Sequence, residues 1–326
     1  MSLDSDVIVD RRRIRRKLTF WRVAAVVVAI AAVVAVGVIA TPGGRASLTT
    51  SGSIARINIE GLIRSDQQRV EALERLEKSQ AAAVIVHINS PGGTTAGSEQ
   101  LYDALMRLKA KKPLVVVVEG LAASGGYIAA LASDRIVAQQ SSLVGSIGVL
   151  FQFPNFTELL KTVGVKVEEV KSSPLKAAPN GFEPTSPEAR AALDALVKDS
   201  YAWFRDLVKA RRGMDDVQLE KVADGRVFTG RQAVDLKLID QIGDEKAAVA
   251  WLVAEKKIKS DLPVRDYKLS PRFGDLTFLR TAASITLDAL GLGTVARQVE
   301  QAGVVQAVDQ LRLDGMLALW RPAASN

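Results

Sequence analysis

Three short apolar runs, each followed by a turn or a helix-spaced stretch, constrain this chain more than any other feature. Ile54-Ala55-Arg56-Ile57-Asn58-Ile59 alternates apolar and polar residues, whereas Ala83 to Ile88 and Leu114 to Val118 are nearly continuous and rich in β-branched side chains. Between them apolar residues recur at helical spacing: Val70, Leu73 and Leu76, then Leu101, Leu105 and Leu108. Strands this short and apolar need cover on both faces, and strand–helix–strand order places neighbouring strands parallel. The expected class is α/β with a mainly parallel sheet. Functional loops of such a sheet lie at strand C-termini, here Asn89–Gly97 and Gly120–Tyr127.

Ahead of these runs, Val23 to Ala40 holds 18 residues without a charged or polar side chain. At about 1.5 Å per residue a helix of that length spans about 27 Å, the thickness of a bilayer's hydrocarbon. Arg11, Arg12, Arg13, Arg15, Arg16, Lys17 and Arg22 crowd its N-terminal side, and Pro42-Gly43-Gly44 follows it. The expectation is a basic cytoplasmic tail over 1–22, a transmembrane anchor over 23–40 and a Gly/Ser/Thr-rich linker over 41–53. A cleaved signal peptide is the alternative, since Val38-Ile39-Ala40 fits a small-residue cleavage site.

The formal charge of +7 is mostly that tail, which contributes +4 and leaves +3 for the other 304 residues. A nucleic-acid binder carries its charge on the folded body, so no nucleic-acid partner is expected. The absence of Cys excludes thiolate nucleophiles and Cys-based metal sites, and one His excludes a multi-histidine centre within a single chain. No cofactor is expected.

Ser-His-Asp catalysis needs an imidazole beside the nucleophile, but His87 lies inside a strand pattern and reads as structural. A serine activated by another group fits better. Gly120-Leu121-Ala122-Ala123-Ser124-Gly125-Gly126-Tyr127 follows an apolar strand and precedes a helix-compatible Ile128 to Ala132, the context of a nucleophile elbow. Asn89-Ser90-Pro91-Gly92-Gly93 follows the neighbouring strand, so N–H groups of Gly93 and Gly125 are candidates for an oxyanion hole; a plain tight turn is the simpler reading of either loop. Farther on, Pro187 to Arg212 reads as a long helix with Ser186 as N-cap, Gly213 past its end, and an apolar face from Leu193, Leu196, Val197, Phe204, Leu207 and Val208.

Four blocks then point one way: Asn-Ser-Pro-Gly-Gly at 89–93, Ala-Ser-Gly-Gly-Tyr at 123–127, Val-Gly-Ser-Ile-Gly-Val at 144–149, and Ala223-Asp224-Gly225-Arg226-Val227 with Gly230, Ala233, Leu238-Ile239-Asp240 and Gly243. In their order and spacing the chain resembles the signal peptide peptidase A family, membrane-bound Ser-Lys proteases of the Clp protease/crotonase fold, in its short single-repeat form. The resemblance implies repeated ββα units, a protease domain over 54–262 and a separate C-terminal extension over 263–326, whose Ala/Val/Leu-rich stretch reads as helical.

In that family the general base is a lysine about fifty residues after the serine, in a loop that follows a strand. Here Val165 to Val170 has a strand pattern and leads into Lys171-Ser172-Ser173-Pro174-Leu175-Lys176. The resemblance makes Ser124 the nucleophile, Lys176 the base and Lys171 the non-catalytic neighbour. A lysine base must be neutral, and bringing an ammonium from about 10.4 to near 7 costs about 4 kcal/mol, which desolvation supplies. Ser146, in a Gly-flanked loop, either orients that amine or caps a turn.

The implied activity is cleavage of signal-peptide remnants with apolar segments. The enzyme would be single-pass in a bacterial cytoplasmic membrane, its catalytic domain on the extracytoplasmic side, in a ring-shaped homo-oligomer that shares each dyad between subunits. The alternatives are a related Ser-Lys protease of other membrane proteins such as stomatin-like ones, a noncatalytic scaffold, and acyl-CoA chemistry on the same fold.

Overall fold

A computed structural model describes Trp21, residues 52–269 and the backbone of 317–319. The chain divides into two units between Ser51 and Gly52. The expected tail, the anchor at 23–40 and most of the linker lie outside the described residues. Among the described residues no helix is long and apolar enough to cross a membrane. Ser53, at the end of the expected linker, is already buried, and its carbonyl accepts the Ala82 N–H at 2.9 Å.

The second unit opens β1 (Ile54–Ile63), α1 (Gln67–Glu77), β2 (Ala83–Thr94), α2 (Thr95–Lys109), β3 (Leu114–Ala123) and α3 (Gly125–Ala130). It continues with β4 (Arg135–Ala138), β5 (Leu143–Gly145), α4 (Thr157–Thr162), α5 (Pro187–Arg212), α6 (Asp216–Glu220), β6 (Val227–Thr229), α7 (Gly230–Asp235), β7 (Gln241–Ile242), α8 (Glu245–Lys256), β8 (Val264–Asp266) and β9 (Leu317–Leu319). Among the described residues nine strands join one sheet with the order β6-β5-β3-β2-β1-β8, while β4 and β7 branch from β3 and β9 from β2. Pairing is parallel except for β5–β6 and β2–β9.

Alternation along each strand divides the core. Ile57, Ile59, Val84, Val86, Ile88, Val116 and Val118 face one side, where α1, α2, α3 and the C-terminal half of α5 cover them; Ile54, Ile85, Val115 and Val117 face the other, against Ala248 and Leu252 of α8. Each such fully buried side chain contributes about 1.5–3 kcal/mol. Helix starts are fixed by short side chains: Asp66 accepts the Arg69 N–H at 3.0 Å, and Thr94 accepts the Gly97 N–H at 3.1 Å.

The expected ββα units take the form of strand–helix repeats with bent strands. Registers shift between Glu60 and Leu62 and between Ile88 and Ser90, and β3 changes partner, from β4 at Val115–Val118 to β5 at Leu121–Ala123.

Several expectations need correction. Asn89–Gly97 and Gly120–Tyr127 are not open loops: β2 continues to Thr94 because Gly92 and Gly93 pair with Leu62 and Ile63, and β3 continues to Ala123 against Gly145. Val165–Val170 forms no strand, since no strand among the described residues pairs with it; Val170 is fully exposed. Helix α5 has the expected bounds and caps, with the Ser186 hydroxyl accepting the Ala189 N–H at 3.1 Å and Gly213 left-handed at φ 61°. Only its C-terminal half packs on the core through Phe204 and Val208; Leu196, expected on the buried face, is 52% exposed. In 263–326, β8 and β9 are strands that extend the sheet beyond residue 262, and residues 270–316 and 320–326 lie outside those described.

Candidate active site

Ser124 occupies the junction where β3 turns into α3. Its backbone has φ 54° and ψ −116°, a conformation that costs a non-glycine residue about 1–3 kcal/mol and persists only where surroundings enforce it. The enforcement is visible. The Ser124 N–H donates to the Gly145 carbonyl at 2.7 Å, and its carbonyl accepts the N–H groups of Tyr127 and Ile128. The residue is 1% exposed.

Ser146 stands beside it. Ala123 pairs with Gly145 in parallel register, so Ser124 and Ser146 each follow a member of one pair, and Ser146 too has a positive φ of 52°. Its N–H donates to the Arg226 carbonyl at 2.8 Å, and Gly145 pairs with Val227. The fourth sequence block thus holds the Ser146 turn. The same block braces α3: the Tyr127 hydroxyl donates to the Leu238 carbonyl at 2.7 Å, and complete burial pushes its phenol well above the usual range.

The glycine-rich turn of β2 meets this junction. Ser90 pairs with Ala122, and a Cβ on Gly126 would lie 2.7 Å from the Ser90 carbonyl oxygen, so α3 approaches β2 as closely as backbone permits. A Cβ on Gly93 would lie 1.7 Å from the Ile63 carbonyl oxygen. Gly125, first in α3, has no intrahelical acceptor for its N–H. The structure therefore brings Gly93, Ser124, Gly125 and Ser146 to one end of the sheet.

It does not bring Lys176 into contact with them. Lys176 lies exposed in a turn, its N–H donating to the Ser173 carbonyl, and its amine makes no hydrogen bond or ion pair among the described residues. Lys171 differs: its ammonium lies 2.6 Å from both Glu169 and Glu183, which, with Glu169 first, raise its pKa and hold it charged. A lysine so held is a poor proton acceptor.

His87 is structural. It faces the α8 side of the sheet, with Nδ1 2.7 Å from Glu119 and Nε2 2.7 Å from Glu245; Glu245 also accepts two hydrogen bonds from Arg56, each at 2.6 Å. Arg56, more than His87, holds the Glu245 carboxyl below its ordinary pKa. Among the described residues no group of carboxylates and His is arranged to hold a metal ion.

Sequence reasoning missed two serines that shape the site. Ser90, fully buried, donates its hydroxyl to the Gly61 carbonyl at 2.7 Å and accepts the Gly92 N–H at 3.1 Å, pinning the turn that presents Gly93 to the bulge of β1. Ser142 Oγ lies 2.9 Å from both the Val118 and Glu119 carbonyls, where β3 changes partner. Only the Asn-Ser-Pro-Gly-Gly block could have flagged Ser90; Ser142 carries no signal of its own.

The model of Peptidase family S49 matches residues 106–259, and that of Clp protease matches 56–144. A Synechocystis protein described as a protease is 37% identical over 205 residues, covering 62% of this chain and 74% of its own. An Enterococcus faecium protein described as signal peptide peptidase SppA is 32% identical, covering 68% of this chain and 66% of its own. The chloroplastic serine protease SPPA of Arabidopsis thaliana is 28% identical over 84% of this chain, which spans 42% of that protein. With its strand–helix repeats and its mixed, mostly parallel sheet, this chain belongs to peptidase family S49 and is a serine peptidase of Clp protease-like fold.

Proposed function

We propose that the chain is a membrane-anchored endopeptidase in which Ser124 is the nucleophile and Lys176 the general base, acting on signal-peptide remnants with apolar segments. The observation that carries the reading is the enforced backbone at Ser124, set beside Gly93, Gly125 and Ser146. Ser124 Oγ adds to a peptide carbonyl while Lys176 Nζ takes its proton; the carbonyl oxygen becomes an oxyanion held by the N–H groups of Gly93 and Gly125. Lys176 returns the proton to the leaving amine as the C–N bond breaks. Water then hydrolyses the acyl-enzyme by the same route, and Ser146 orients the neutral amine between steps.

Ser124 is buried and Lys176 exposed, so the dyad is completed between subunits of a ring. Two further observations support this. Phe156, Leu159, Val163, Val165, Leu175 and Phe182 are each 42–61% exposed around the lysine segment, and Val165–Val170 keeps a strand pattern without a partner strand among the described residues. A neighbouring subunit placed there supplies the desolvation that a lysine base requires. The apolar run at 23–40 with its basic flank supports a single-pass anchor that leaves the catalytic unit on the extracytoplasmic side. The test is labelling of the full chain in membranes with a fluorophosphonate probe: wild type is labelled and Ser124→Ala is not. Equal labelling of Ser124→Ala refutes the nucleophile.

A further inference from the structure

The parallel strands β1, β2, β3, β4 and β8 begin abreast: Ile54 pairs with Ala83 and Val264, Val84 with Leu114, and Val115 with Arg135. The stretches that lead into the last four of them, 78–82, 109–113, 131–134 and 256–263, therefore lie side by side at one end of the sheet, away from the end that holds Ser124. They carry seven lysines against two acidic residues, Asp134 and Asp261. With the adjoining Glu77, Glu255 and Arg135 counted, cations outnumber anions two to one here, a surplus of four, whereas everything after the N-terminal tail sums to +3. The positive charge of the folded unit is concentrated at this end.

Local ion pairs do not neutralise it. Lys109 Nζ and Lys256 Nζ lie 3.8 and 3.5 Å from the same oxygen of Asp134, whose other oxygen accepts the Leu114 N–H at 3.0 Å. Arg211 donates to the Leu131 and Ser133 carbonyls at 2.8 and 2.9 Å, so three cations gather around one carboxylate. Burial first, and then repulsion from Arg211, lowers the Lys109 pKa. Arg135 and Lys256 also lie 5.6 and 5.4 Å from the half-buried Trp251 ring, an aromatic of the kind that suits a headgroup region. Lys78, Lys111 and Lys259 are exposed and make no ion pair among the described residues.

We infer that this end of the catalytic unit docks on the surface of an anionic bilayer, its lysines on the phosphate groups of the lipids. The inference rests on the anchor proposed above. Two observations select a lipid surface as the partner. The chain enters the unit at this end, through Ser53 into β1, after the linker that follows the apolar run at 23–40. The charge is also spread along a row of four turns, an arrangement that matches a plane of phosphates. Each lysine close to an anionic leaflet contributes about fivefold in binding, and a tethered unit already held at the membrane makes such weak contacts effective.

The full chain is reconstituted in bilayer discs of phosphatidylcholine, with or without phosphatidylglycerol, and acylation of each lysine by a neutral succinimidyl ester is followed by mass spectrometry. Lys78, Lys111 and Lys259 should react about fivefold more slowly in the anionic discs, and Lys198, on the exposed side of α5, equally in both. Salt at about 1 M, which cuts the screening length from about 8 to about 3 Å, should abolish the difference. The triple variant Lys78→Glu, Lys111→Glu, Lys259→Glu should lose the protection of Lys256 and Lys257 while keeping the wild-type circular dichroism. Equal reactivity of the wild type in both discs, fast because the face is bare or slow because a second copy of the chain covers it, overturns the docking. Incorporation into phosphatidylcholine discs tests the anchor by itself. A chain that stays out of them overturns the anchor; its lysines are then compared with and without vesicles of the anionic mixture, where protection upholds the docking and its absence overturns it.

Discussion

Ser90→Ala removes one oxygen and leaves two backbone groups without their partner. The Gly92 N–H, buried against the Ser90 hydroxyl, loses that acceptor at a cost of about 1–3 kcal/mol; the Gly61 carbonyl, on an exposed bulge, can turn to water and loses about 0.5–1.5 kcal/mol. Together the substitution should destabilise the catalytic unit by about 2–4 kcal/mol, which for a domain of this size lowers Tm by about 4–16 °C. The same loss frees the turn that presents Gly93. A donor displaced from the oxyanion lowers kcat by about 10²-fold or more while KM changes little, because a ground-state peptide does not use that hydrogen bond fully. Urea unfolding and peptide hydrolysis measure the two effects. A Ser90→Ala protein with stability within 0.5 kcal/mol of wild type (within the range of a neutral surface change) and unaltered kcat would refute the assigned role.

Lys176→Ala should lower kcat/KM by about 10²–10⁴-fold, the usual worth of a general base, whereas Lys171→Ala, whose ammonium is engaged by Glu169 and Glu183, should stay within a factor of a few; the reverse ranking would exchange the two lysines. Glu245 titrates below its unfolded value, so its ion pairs stabilise the fold above that value, near 4.3, and the gain is lost as pH falls through the folded pKa. Urea denaturation should accordingly show wild type losing more stability between pH 6 and pH 3 than Glu245→Gln; equal losses would mean that Glu245 is not a stabilising partner of Arg56 and His87.

The central fold was legible because its signals are local. β-branched runs named β1, β2 and β3, leucine spacing named α1 and α2, and Ser186 and Gly213 bounded α5 to the residue. What escaped depends on distant partners. Gly93 looked like part of a loop because nothing near it shows that Ile63, thirty positions earlier, pairs with it. Ser90 escaped because its hydroxyl acts on a bulge at Gly61. The strand pattern at Val165–Val170 and the apolar Leu196 were read as though the chain supplied their cover, yet no other described residue buries either of them. Of the site, Ser124 and the two glycine turns followed from strand–turn–helix context; the choice of Lys176 over Lys171 needed family resemblance, and the carboxylates around Lys171 become visible only in three dimensions.

The most direct test of the account mixes Ser124→Ala and Lys176→Ala chains under subunit exchange. If each dyad joins the serine of one subunit to the lysine of its neighbour in a cyclic ring, random mixing at equal amounts creates intact pairs at about one site in four, so about a quarter of wild-type activity should return. Mixed rings verified by differential tags that remain as inactive as either parent would contradict a dyad shared between subunits.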